Sequence, residues 1–260
     1  MTNAANHAAN TKVVLITGAS RGLGRSMALH LADRGRDVIF TYHSRRDDAQ
    51  AVVREIERKG RSAIALQLDI AQSHTFPAFA AQVREVLQSG WQRSDFDYLI
   101  NNAGTGVIKD FMATTEDEFM RMVNEHVKAP YFLSQTLLPL MKDGGRIVNV
   151  SSGLTRMILP GFSAYAIMKA AVETLSAYIA KELGPRGIRV NTIAPGAIET
   201  DFGGGLVRDT PDVKQFIANS TVLGRVGLPE DIGGAVAALL DDGAAWINAQ
   251  RIEVSGGQGL

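Results

Sequence analysis

Lys12-Val-Val-Leu-Ile-Thr-Gly18-Ala-Ser-Arg-Gly22-Leu-Gly24 is the stretch whose reading decides the fold. Val13 to Ile16 is a short apolar run without polar alternation, the pattern of a strand covered on both faces. The glycines at 18, 22 and 24 follow at once, and an amphipathic stretch from Arg25 to Arg34 follows them. The order is strand, glycine-rich turn, helix. Glycine permits a tight turn and lets a ligand approach the backbone closely. A helix start adds unpaired N–H groups and a partial positive charge, so the turn suits a diphosphate. Placement between strand and helix is what separates it from an ordinary glycine turn.

Outward from this turn the chain alternates. Further strands are expected at Val38 to Tyr42, Ala63 to Leu66, Tyr98 to Ile100, Ile147 to Val150, Val190 to Ile193 and Arg251 to Val254. Helices are expected at Asp47 to Arg58, Pro77 to Leu87, Thr115 to Met141 with a kink at Pro130, Phe162 to Leu183 and Glu230 to Leu240. Such βα alternation predicts an α/β fold, a single Rossmann-like doubly wound domain over residues 11–260. Its parallel sheet has about seven strands, with helices on both faces. Ligand sites in such sheets lie outside the C-terminal strand ends, where Gly18, Asn101, Ser152 and Pro195 fall. Residues 1–10, rich in Ala and Asn and without an apolar core of signal-peptide length, are expected to form a disordered tail.

Composition narrows the function classes. With 260 residues and 45% hydrophobic content, the chain can bury one sizeable core. Lys plus Arg and Asp plus Glu are 27 each, which gives no reason to expect nucleic acid or an anionic membrane as partner. Cysteine is absent, so disulfides, thiolate catalysis and a cysteine-based metal site are excluded, and no metal is expected. A cytoplasmic location is the expectation that accords with this.

A second constellation carries chemistry. Ser151-Ser152 closes the apolar stretch Ile147 to Val150, and Tyr165 and Lys169 stand four apart in Ser163-Ala-Tyr-Ala-Ile-Met-Lys169. On a helix, positions four apart share a face, so phenol and ammonium can lie side by side. A free tyrosine titrates near ~10, and an adjacent cation lowers that value. A phenol tuned this way can give a proton to a carbonyl oxygen or take one from an alcohol. Ser152 would hold that oxygen. A tyrosine on a helix is more often packing than chemistry, so the pair alone is weak.

Taken together, the segments resemble the short-chain dehydrogenase/reductase family from Val13 to Gly257. Thr17-Gly18-x-x-x-Gly22-x-Gly24 matches the family's glycine turn, and Asn101-Asn-Ala-Gly104 its Asn-Asn-Ala-Gly segment. Ser152, thirteen residues before Tyr165, takes the catalytic serine position, and Pro195-Gly-Ala-Ile-Glu-Thr200 matches the stretch that faces the nicotinamide. The resemblance implies an NADP(H)-dependent carbonyl reductase that interconverts a ketone and a secondary alcohol. Tyr165 is then the acid/base, Ser152 positions the oxygen, and Lys169 lowers the tyrosine pKa and bonds the nicotinamide ribose. The implied cofactor contacts come from Gly18, Ser20, Arg21, Gly22, Leu23 and Gly24 in the turn, and from Asn102, Ala103 and Gly104 after the fourth strand. Tyr165, Lys169, Pro195, Gly196, Ile198 and Thr200 complete them, with Asp69 beside the adenine.

Cofactor choice is read at the end of the second strand, where NAD enzymes carry an acidic residue about ~20 residues beyond the glycines. Here Tyr42 stands there, followed by His43, Ser44, Arg45 and Arg46, and Arg21 sits in the turn. Guanidinium groups hold a 2′-phosphate that a carboxylate would repel, so NADP(H) is favoured. Alternatively, Arg45 and Arg46 are solvated residues ahead of a helix whose dipole Asp47 and Asp48 serve.

The resemblance departs from pattern at one catalytic position. Where the family has an asparagine in the long helix, this chain has His126, with Asn124 two residues out of register. His126 is expected to hydrogen-bond a main-chain carbonyl and to titrate near neutrality, or else to be a packed helix histidine. A cofactor-binding sensor or scaffold without turnover is therefore the alternative function. The substrate pocket is expected from Gly106, Val107, Leu154 to Leu159 and a lid-like segment at 201–222, mostly apolar, which favours an aliphatic or cyclic ketone over a sugar. The closest general resemblance is to 3-oxoacyl-acyl-carrier-protein reductases. Docking that acidic carrier would rest on little beyond Arg156 and Arg186. Gly203-Gly-Gly205 is expected to be mobile and to close over substrate. Phe119, Met122, Leu175 and Ile179 give the two long helices apolar residues on more than one face, and the family commonly pairs these helices into homotetramers, with a dimer as the smaller alternative.

Overall fold

A computed structural model describes residues 11–260; the tail expected at 1–10 lies outside the described residues. Seven parallel strands run in the order β3-β2-β1-β4-β5-β6-β7. They are β1 Val13–Ile16, β2 Asp37–Tyr42, β3 Ala63–Gln67, β4 Phe96–Asn101, β5 Met141–Val150, β6 Arg189–Pro195 and β7 Arg251–Val254. Because successive side chains on a strand alternate between faces, β1 sends Val13 and Leu15 into one core layer and Val14 and Ile16 into the other. The first layer is covered by α3 (Phe76–Trp91) together with Leu133 and Leu137 of α5 (Ala129–Leu137). The second is covered by α1 (Gly22–Asp33), α2 (Arg46–Arg58) and α9 (Pro229–Leu239). Every residue of β1 is fully buried, which is why its sequence is a continuous apolar run.

The long helix expected at 115–141 is three pieces. α4 (Glu116–Val123) starts on a reciprocal cap in which the Thr115 hydroxyl accepts from Glu118 N and the Glu118 carboxylate accepts from Thr115 N. It runs into a π-helical turn at Asn124–Lys128, and α5 follows. The irregularity thus precedes Pro130, which sits in the first turn of α5, where a missing N–H costs nothing. The helix also stops short of Met141, which pairs with Phe96 at the start of β5. Lys142, Asp143 and Gly144 then bulge into solvent before the register resumes at Tyr98 and Arg146. β6 extends two residues past the expected Ile193, to Pro195.

The remaining helices are α6 (Ser163–Leu183), α7 (Leu206–Asp209) and α8 (Pro211–Asn219). The last two lie in the segment expected to be lid-like, 201–222. Among the described residues, no helix is long and apolar enough to cross a membrane.

Candidate active site

The glycine turn is laced to its neighbours at the C-terminal edge of the sheet. Gly18 and Gly22 adopt φ of 68° and 55°, conformations that side chains rarely permit. Gly18 N donates to Thr41 Oγ1 at 3.0 Å, and Asn102 Nδ2 donates to the carbonyls of Thr17 and Gly18 at 2.9 Å each. Thr17 Oγ1 in turn accepts from the amides of Asn102 and Ala103. A Cβ on Gly24 would stand 2.2 Å from Gly18 O, so only glycine lets helix and strand close this tightly. Arg21 precedes α1 without a side-chain cap, which leaves the first N–H groups of that helix available to an anion. These features fit a dinucleotide diphosphate.

Tyr42 ends β2 with no carboxylate in its place, and Arg45 and Arg46 are exposed beyond it. Arg45 makes only a long contact, 3.3 Å, to exposed Asp48. Asp69 accepts from Ala71 N at 2.9 Å in a local turn and lies 3.8 Å from His43 Nε2. Ala197 N donates to Gln258 Oε1, which fixes the chain after Pro195 and Gly196, and Ile198 forms a bridge with Gly227. Arg21, expected near the 2′-phosphate, donates from Nη1 to Asp201 Oδ2 at 2.6 Å.

Ser152, Tyr165, Lys169 and His126 do converge. Tyr165 is only 8% exposed and Lys169 5%. The Lys169 ammonium lies beside the Tyr165 ring and has a main-chain partner of its own. Lys169 Nζ donates to Val150 O at 2.7 Å and lies 5.5 Å from the Tyr165 ring centroid. Burial holds the Tyr165 pKa above its ordinary value, with the Ser152 hydroxyl acting the other way, so the phenol keeps its proton. Burial also brings Lys169 down to about 8, opposed by the negative charge of Glu125. Ser151, beside the catalytic-position serine, is occupied structurally: its hydroxyl donates to Glu173 Oε1 at 2.7 Å.

His126 lies within the π turn and is 2% exposed. Its Nε2 is 2.6 Å from Thr105 O, and since a carbonyl can only accept, Nε2 carries the proton. Nδ1 is buried without a partner among the described residues. Burial, then the Lys169 charge, keeps the ring well below its ordinary pKa, although the Thr105 bond opposes this. The expected titration near neutrality is therefore wrong; His126 is neutral. Its ring stands edge-on to Tyr165, with centroids 5.2 Å apart. The imidazole also presses on Gly104, where a Cβ would lie 2.3 Å from Cε1.

Glu125 was not anticipated. Its carboxylate accepts from Thr105 N and Oγ1 at 3.0 and 2.6 Å, and it lines a small pocket with Asn101, His126 and Lys169. The signal was the helical register, since Glu125 falls three residues after buried Met122 and four before buried Ala129. Val107, Met168 and Leu154 pack with Tyr165 and Met122 in a separate apolar cluster. Phe202, also unanticipated, lies against Tyr165 with ring centroids 5.2 Å apart. Ile158 of the expected pocket wall is instead largely exposed. Arg156 is engaged by Glu253 and by the carbonyls of Gln258 and Gly259, and Arg186 by Asp143, Leu138 O and Met141 O. Among the described residues, no cluster of three or more His, Cys, Asp or Glu could hold a metal.

The sequence matches the family described as Enoyl-(Acyl carrier protein) reductase over residues 18–258. It is 36% identical over 257 residues to the hydroxynaphthalene reductase-like protein Arp2 of Metarhizium brunneum, covering 95% of this chain and 94% of that protein. The solved structure of the promiscuous reductase LugOII, which catalyses keto-reduction at C1 during lugdunomycin biosynthesis, superimposes with a TM-score of 0.90 at 36% identity, covering 96% of this chain and 98% of that one. The angucycline C-6 ketoreductase LanV with bound NADP gives 0.90 at 34% identity, covering 95% of each chain. Matches along nearly the whole length, on a sheet of the expected form, show that the chain belongs to the short-chain dehydrogenase/reductase family.

Proposed function

We propose that the protein is an NADP(H)-dependent ketone reductase with Tyr165 as its proton donor. The observation that carries this reading is the buried, protonated Tyr165 phenol, with Ser152 acting on it and the Lys169 ammonium 5.5 Å from its ring centroid. A phenol that burial keeps protonated is suited to giving a proton to a developing alkoxide, the direction of ketone reduction. A nicotinamide cofactor held by the glycine turn would supply the hydride. Ser152 Oγ holds the substrate oxygen, and Tyr165 Oη passes its proton to that oxygen. Lys169, still cationic at neutral pH, stabilises the phenolate left behind. His126 positions these groups: its Nε2–H fixes the Thr105 carbonyl while the ring edge supports Tyr165.

The 2′-phosphate is assigned to Arg21, Arg45 and Arg46 around Tyr42, where an NAD enzyme would place a carboxylate. The bound NADP of the LanV structure supports that preference. The substrate is a cyclic, ring-fused ketone. Support comes from the apolar residues Val107, Leu154, Met168 and Phe202 beside Tyr165, and from the hydroxynaphthalene and angucycline chemistry in the names of similar proteins. An acidic carrier protein fits less well, because Arg156 and Arg186 already have acidic and carbonyl partners.

NADPH oxidation with product analysis, run on fused aromatic ketones, simple ketones and acyl thioesters, tests the reading. Alcohol formation is expected, fastest on the fused-ring ketones. NADPH binding with no alcohol from any of them would instead indicate a cofactor sensor.

A further inference from the structure

Arg21 sits where two claims on it meet. Its Nη1 donates to Asp201 Oδ2 at 2.6 Å, with side-chain exposures of 51% and 34%, so the pair is open to exchange with a competing anion. The other Asp201 oxygen is held by Arg208, and Arg21 first, then Arg208, keeps that carboxylate below its ordinary pKa and ionised. The two segments are neighbours here as well, since a Cβ on Gly22 would lie 3.7 Å from the Thr200 side-chain Cγ2.

The residue after Asp201 is Phe202, which fills the space over the phenol. Its ring lies 5.2 Å from that of Tyr165, tilted by 55°. On the other side it touches Gly106 so closely that a Cβ there would be 2.4 Å from Phe202 Cζ. A ketone reaching Tyr165 from this side must displace that ring. Gly203, Gly204 and Gly205 follow with φ of 60°, 75° and 82°, three successive left-handed residues that glycine alone adopts without strain. The stretch is thus a tether, a plug and a hinge in consecutive residues.

We propose that Asp201 moderates the preference for NADP(H) by competing with the 2′-phosphate for Arg21. NADP(H), unlike NAD(H), thereby releases Phe202 from the face of Tyr165. The inference rests on the assignment of Arg21 to the 2′-phosphate given above. A phosphate carries more charge than a carboxylate and offers more acceptor oxygens, so it wins the guanidinium. The two anions also repel each other across one cation. Asp201 keeps Arg208, swings toward it on the glycine hinge, and carries Phe202 away. Linkage makes the effect reciprocal: removing the competing carboxylate must strengthen NADP(H) binding. The effect is bounded, because a half-exposed ion pair is weak, and up to about fivefold is expected.

Two readouts independent of turnover test this. The first is the dissociation constant of NADPH and of NADH, titrated on the unmodified protein and on Asp201→Asn. The substitution is expected to tighten NADPH up to about fivefold and to leave NADH unchanged, which also shows that the variant is folded. The second is amide hydrogen exchange over residues 202–206 at saturation with each cofactor. NADPH is expected to speed exchange there relative to NADH in the unmodified protein, and Asp201→Asn to erase the difference. An NADPH preference that Asp201→Asn leaves unaltered, or equal exchange with both cofactors, would overturn the coupling alone. Equal affinity of the unmodified protein for NADPH and NADH would overturn the 2′-phosphate assignment, and the coupling with it.

Discussion

His126 shows what a single buried side chain settles. A histidine at the family's asparagine position invites a reading as a pH-sensitive relay, yet burial and the Lys169 charge keep it neutral. What remains is a fixed donor to Thr105 O and a ring edge against Tyr165. His126→Asn can reproduce the donor, so kcat/KM is expected to stay within about tenfold, or about 1.4 kcal/mol of barrier. His126→Leu cannot, and is expected to lose more; a leucine variant as active as the unmodified protein would remove the side chain from the account. Lys169 is the group that titrates. Burial lowers it to about 8, so its charge is present at neutral pH and is lost as pH rises through that value, and reduction is expected to fall with it. Glu125 opposes the shift, so Glu125→Gln is expected to move this alkaline limb to lower pH. A purely structural role for Glu125 would lower activity without moving the limb.

Elements were legible where the periodicity was strong and illegible where chemistry interrupts it. β1, the glycine turn and α1 read correctly because a buried parallel strand and an amphipathic helix leave opposite patterns in sequence. The π turn did not, because one extra residue per turn shifts the buried face without changing which residue types occupy it. Pro130 drew the expected kink to itself, although it stands where a helix start tolerates it. The Asp201–Gly205 tether was half legible: three glycines announce mobility, but nothing local says that Asp201 reaches Arg21, 180 residues away. With cofactor and a slow ketone both bound, exchange across Gly203–Gly205 is expected to slow as the substrate fills the slot and the segment packs on it. Exchange that does not slow would make this a passive loop.

At the scale of the molecule, motif order along the chain identified the family and the sheet, since each motif falls at a strand end that the topology brings to one edge. The catalytic tuning was not legible, because it depends on burial: the Tyr165–Lys169 spacing predicted a lowered tyrosine pKa, and the folded interior raises it. Assembly is read from exposure. Met122 turns out to be wholly buried within the chain, while Met120, Tyr131 and Phe132 on α4–α5 and Ile167 and Tyr178 on α6 stand exposed. Exposed apolar residues gathered on these helices suit burial against another copy of the chain. A homotetramer, or at least a dimer, is therefore expected by light scattering at micromolar concentration, and a monomeric mass would refute it. The central claim is that Tyr165 donates the proton in an NADP(H)-dependent ketone reduction. The most direct test pairs NADPH affinity with alcohol formation in Tyr165→Phe. The account predicts NADPH binding close to that of the unmodified protein with ketone reduction abolished; reduction that persists in the phenylalanine variant would contradict it.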